Sequence, residues 1–147
     1  IKAFMMSDTA KELDSKYNRM QWAGEEYILE EVSSAAGEEL TTDGEIYPKD
    51  VLYWIGYIYR YWHFYNGEDS AKIYKQAPVE TMNRNYLMFH TMAPTLAIED
   101  LKEIYNQNLY SYMHDIFGPE VIEIFDMKYN PADKHPGKSV KPVKEDE

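Results

Sequence analysis

Residues 51–65 read VLYWIGYIYRYWHFY. Eight rings (Tyr53, Trp54, Tyr57, Tyr59, Tyr61, Trp62, Phe64 and Tyr65) fall within these thirteen positions from Tyr53 to Tyr65. The run is too short for a membrane span, is interrupted by Arg60 and His63, and carries many phenolic hydroxyls. Pro48 precedes it and Asn66-Gly67 follows. The pattern therefore predicts a helix over 49–66, opened by a proline whose missing N–H does no harm there and stopped by turn residues. Val51, Ile55, Ile58, Trp62 and Tyr65 recur at intervals of three and four and share one face. A helix apolar nearly all round belongs in the middle of a bundle. The rings are expected to fill a core and direct their hydroxyls to its edge. Successive helical residues point in different directions, which disfavours a single platform for stacking bases or gripping a peptide. Arg60 and His63 are expected as the polar stripe of this helix or as buried groups with hydrogen-bond partners.

Upstream, Met6, Ala10, Leu13, Tyr17, Met20, Gly24 and Tyr27 alternate intervals of four and three, continued by Ile28 and Val32. This predicts one long helix to about Ala36, or two helices breaking near Ala23-Gly24, with Gly37 as C-cap. The stripe is suited to packing inside the domain or against a second copy. Thr41-Thr42-Asp43-Gly44 is turn chemistry.

Downstream, a short helix is expected over Asp69 to Gln76. Pro78 and Pro94 open further helices, of about Val79 to Thr91 and Thr95 to Leu109, with another helical stretch to Phe117. Gly118-Pro119 breaks the pattern. Val121 to Met127 fits a short helix or an edge strand. From Asn130 three prolines, several lysines and few large apolar groups describe a flexible tail over 130–147. The expected architecture is thus all-α: a single-domain helical bundle over 1–129 with an aromatic-rich central helix, followed by the tail.

The 147 residues contain no cysteine, which excludes disulfides, thiolate metal sites and cysteine nucleophiles and suits a reducing, cytoplasmic setting. The formal charge of −11 repels phosphate backbones, so nucleic acid is not an expected partner, nor is a membrane. Between Glu25 and Asp50 nine acids face one base, Lys49. Such a run is a solvated acidic face or a docking surface for a basic protein. Glu25, Glu26, Glu30, Glu31, Glu38 and Glu39 are the candidate partner-binding residues.

No ExxH or HExxH pattern supports a metal site, no glycine-rich loop supports a nucleotide, and no GxSxG elbow supports a serine triad. No metal and no cofactor are expected. The remaining constellation is Arg84-Asn85-Tyr86-Leu87-Met88-Phe89-His90. It resembles the motif of HEPN-domain ribonucleases, small helical and often dimeric proteins. That resemblance implies a metal-independent RNase in which Arg84 clamps phosphate, Asn85 is the adjacent polar residue and His90 is the general acid/base. Six residues along a straight helix nevertheless place Arg84 and His90 about 120° apart.

Three segments together carry a broader likeness: SDTAKELDSKYNRMQWAGEEYILEEV (7–32), GEIYPKDVLYWIGYIYRYWHFYNG (44–67) and MNRNYLMFHTMAP (82–94). They resemble a family of small, uncharacterised helical bacterial proteins found beside toxin-like genes and labelled antitoxins. The likeness spans about Met6 to Leu109. It implies a protein partner, such as a toxin-like neighbour, and no catalytic mechanism. The leading expectation is a non-enzymatic, antitoxin-like protein-binding module that docks or neutralises a partner through its acidic face. The alternatives are the RNase and a homodimeric helical protein.

Overall fold

Eight helices and no strand occur among the described residues of a computed structural model, which are 1–15, 24–37 and 44–129, the side chains of 125–129 excepted. The chain is all-α. The helices are α1 (Lys2–Met5), α2 (Asp8–Asp14), α3 (Glu25–Ala36), α4 (Lys49–Asn66), α5 (Ser70–Gln76), α6 (Val79–Phe89), α7 (Pro94–Phe117) and α8 (Pro119–Tyr129).

The long N-terminal helix suggested by the apolar stripe does not form as one element. Ser7 interrupts it. The Ser7 hydroxyl donates to the Phe4 carbonyl at 2.7 Å and accepts from the Ala10 amide at 3.1 Å, so it closes α1 and caps α2. A short hydroxyl side chain offers the backbone an alternative to continuing the helix, and here that alternative prevails. Ser15 then takes an extended conformation and ends α2. Gly24 is the N-cap of α3, at the break expected near Ala23-Gly24, and Gly37 with φ +52° ends that helix. Tyr17, Met20, the turn over 41–43 and the tail over 130–147 lie outside the described residues.

α4 forms as expected, after Pro48, and stops at Gly67 in the left-handed conformation (φ +74°). It packs against α5 and α6, while α1 meets α3 and α5. Trp62, Ile55 and Ile58 of α4, Ile73 of α5, Met82 of α6, and Ile98 and Leu101 of α7 form the fully enclosed centre. Each such side chain contributes about 1.5–3 kcal/mol through burial. The Tyr59 hydroxyl donates to the Ala77 carbonyl at 2.6 Å, which satisfies a buried polar atom and ties α4 to the end of α5.

The rings of α4 do not all enter this core. Trp54, Tyr59 and Trp62 are buried, whereas Tyr53 is 79% and Phe64 77% exposed, and Tyr57 and Tyr65 are about half exposed. A helix packed on one side turns only part of its circumference inward, and eight rings in thirteen positions occupy all of it. Tyr57, Tyr61 and Tyr65, four residues apart, stack up the helix with centroids 6.0 and 6.4 Å apart.

α6 ends at Phe89, short of Thr91, with His90 as C-cap. Pro94 restricts the residue before it and opens α7, which runs unbroken through Leu109 to Phe117. Gly118, at φ +79°, separates α7 from α8. Residues 121–127 lie within α8, so the helical alternative holds and the edge strand does not. The chain divides into two compact units, Ile1–Tyr105 and Asn106–Glu147.

Candidate functional site

Within the first unit, α1, α2, α3 and α4 border an apolar cleft of about 780 Å³. Phe4 and Met5 line it from α1, Ile28 from α3, and Ile55, Gly56 and Tyr57 from α4. Gly56 contributes no side chain, and a Cβ built there meets nothing within 4 Å, so the glycine widens the cleft. Volume and apolar lining are those of a ligand or side-chain receptor.

The helix at the cleft's edge is unusual. α3 has twelve residues and no buried one. Tyr27 and Leu29 are exposed, as are Glu25, Glu26 and Glu30. These three carboxylates make no ion pair among the described residues. Glu26 and Glu30 stand one helical turn apart, where like charges repel. Glu25 and Glu26 lie in the first turn, where the helix dipole favours them. Glu31 is committed within the chain. It accepts from the Asp8 and Thr9 amides at 2.8 and 3.1 Å and from the Thr9 hydroxyl at 2.5 Å, so it caps α2 and holds α3 against it. The Thr9 hydroxyl, with the two amides, holds the Glu31 carboxyl below the ordinary glutamate value. Glu38 and Glu39 lie outside the described residues.

A second polar cluster went unanticipated. Asp14, at the end of α2, accepts from Arg60 Nη1 at 2.7 Å, from the Ser70 amide at 2.6 Å and from the Ser70 hydroxyl at 3.0 Å. Arg60 Nη2 also donates to the Leu13 carbonyl at 2.9 Å, and its guanidinium lies 5.1 Å from the Phe64 ring centre. His63 Nδ1 stands 2.7 Å from the Glu68 carbonyl and 3.5 Å from Asp14 Oδ1. A carbonyl only accepts, so Nδ1 carries the proton. The trio Asp14, His63 and Ser70 has the composition of a hydrolase triad but the wrong wiring. The serine hydroxyl donates to the carboxylate directly and not to a histidine nitrogen, and Nδ1 donates to the Glu68 carbonyl, with the Asp14 carboxylate farther off. The cluster is a clasp joining α2, α4 and the N-terminus of α5. Arg60 and His63 are therefore partnered groups, one of the two roles expected for them. Only long-range pairing across 46 and 56 residues reveals Asp14, and no local motif marks it.

Glu68 gathers a third set of contacts from Trp62 Nε1, Asn66 Nδ2, Gln76 Nε2 and Lys102 Nζ. Burial opposes its charge, but the donors from Gln76, Trp62 and Lys102 prevail and hold its carboxyl below the ordinary value. No group of three metal-ligating side chains occurs among the described residues.

Arg84, Asn85 and His90 lie along α6 and at its end, where the chain does not gather them into the cleft. Arg84 and His90 are both exposed, and neither lines the cleft. α6 is unbroken between them, so the roughly 120° offset persists. The Asn85 amide donates to its own helix at the Thr81 carbonyl, 2.8 Å away. His90 Nδ1 lies 2.8 Å from the Tyr86 carbonyl, with its ring stacked on Tyr86 at 4.6 Å. Tyr86 in turn donates to Asp50 at 3.1 Å.

No family model matches the sequence, no curated protein matches it, and no solved structure matches the fold. No helix among the described residues is long and apolar enough to cross a membrane.

Proposed function

We propose that this chain is a non-enzymatic protein-binding module, antitoxin-like, that docks a basic segment of a protein partner on α3 and the adjoining cleft. One observation carries this reading: α3 has no buried residue, yet it combines exposed Tyr27 and Leu29 with Glu25, Glu26 and Glu30, which make no ion pair among the described residues, beside an apolar cavity. A twelve-residue helix with so little tertiary burial is marginal by itself. A cationic amphipathic partner would relieve the repulsion between Glu26 and Glu30 and cover the apolar groups. Charge complementarity of this kind raises association rates and rejects wrong partners.

The test is co-expression with the product of a neighbouring toxin-like gene, scored for growth rescue and for a stable complex. The triple variant Glu25→Gln, Glu26→Gln, Glu30→Gln should weaken that complex by roughly tenfold and flatten its salt dependence. Undiminished binding by the triple variant, or growth rescue without any complex, would remove the basis of this reading.

A further inference from the structure

The apolar stripe of α7 changes environment along its length. Ile98, Leu101, Tyr105, Leu109, Tyr112 and Ile116 follow one another at intervals of three or four and share one face of the helix. Ile98 and Leu101 are fully buried. Leu109, Tyr112 and Ile116, in the second compact unit, are 43%, 63% and 55% exposed. The pattern that builds the core in the first half of the helix thus continues where the described residues leave it open. Phe117 lies off this stripe, and His114 occupies the opposite side of the helix.

We propose that this face of α7 is the seam of a homodimer, covered by the same helix of a second copy. Two observations select that occupant. The spacing Tyr105, Leu109, Tyr112, Ile116 runs four, three, four, the pattern with which helices interlock with their own kind. The stretch 104–114 contains no Asp, Glu, Lys or Arg, in a protein whose residues are 28% charged and whose net charge is −11. Two such acidic copies repel each other over most of their surface, and a charge-free stretch is where they can approach. A basic partner, by contrast, gains nothing from a neutral rim. This seam shares no residue with the α3 surface, so the dimer and the docking reading stand or fall independently.

The absence of cysteine makes the test direct. A single introduced cysteine can form a disulfide only with another copy. Single-cysteine variants Leu109→Cys, Tyr112→Cys and Ile116→Cys should give covalent dimers under mild oxidation at one or more positions, with His114→Cys on the opposite side remaining monomeric. Sedimentation of the unmodified chain should give twice the 17.4 kDa of one copy. The variant Ile116→Glu should halve that mass while its helical circular-dichroism signal is retained. A monomer in sedimentation at micromolar concentration, or cross-linking equally efficient through His114→Cys, would overturn the proposal.

Discussion

Arg60 donates through Nη1 to Asp14 Oδ1 at 2.7 Å, joining the middle of the aromatic helix to the end of α2. The carboxylate is nearly enclosed, and it also accepts from the Ser70 amide and hydroxyl. Asp14→Ala removes every one of these acceptors and should destabilise the fold by about 2–4 kcal/mol. Arg60→Ala should cost less, about 1–2 kcal/mol, because its side chain is about a third exposed and solvent screens it. Urea denaturation of both singles and the double variant should show a favourable coupling between the two residues. Strict additivity would show that the clasp holds nothing together.

Neighbouring rings of α4 should differ sharply in worth. Trp62 is wholly buried, and Trp62→Ala should cost about 3–5 kcal/mol through lost burial and the cavity left behind. Phe64, two residues on, is exposed and rests against the Arg60 guanidinium and the His63 ring at the surface. Phe64→Ala should cost at most about 1 kcal/mol. Equal losses in denaturation midpoint would contradict the placement of these rings.

Stability should fall at both ends of the pH scale, for separable reasons. The Glu68 carboxyl is held below the ordinary glutamate value of 4.5 by its donors. Its contribution is complete above that value and is lost as pH falls through the lower folded-state value. Glu68→Gln should flatten the acid limb of a stability–pH curve. Burial pushes the Tyr59 phenol well above the ordinary 10.0. Below pH 10 its contribution is complete; above it the unfolded chain ionises while the folded one does not, so stability declines. Ultraviolet titration should find one tyrosine that ionises only on alkaline unfolding, and Tyr59→Phe should abolish that signal.

Gly67 ends α4 at φ +74°, where a side chain is strained although none of its neighbours would be touched. Gly67→Ala should therefore cost about 1 kcal/mol from backbone conformation alone. Thermal denaturation should show a modest drop with an unchanged far-ultraviolet spectrum.

Much of this architecture follows from local chemistry. The interval pattern and Pro48 and Gly67 define α4, and Pro78, Pro94 and Gly118 bound the later helices, because proline and glycine act on the backbone where they stand. The N-terminal stripe misleads for a related reason. Periodicity records which side chains face inward and is silent about the backbone, which leaves the helical conformation at Ser15. The acidity of α3 is equally plain from composition, but the commitment of Glu31 to Thr9 depends on two helices meeting across 22 residues.

The amino-acid sequence by itself thus determined that the chain is helical, acidic and rich in rings, since propensity, charge and composition are properties of residues taken singly or a few positions apart. Tertiary structure alone decided which rings are enclosed, that Asp14 binds Arg60 and Ser70, and that Arg84 and His90 stay apart on α6. Those outcomes depend on where distant helices come to rest, and a side chain's surroundings are set by neighbours that its own segment does not encode.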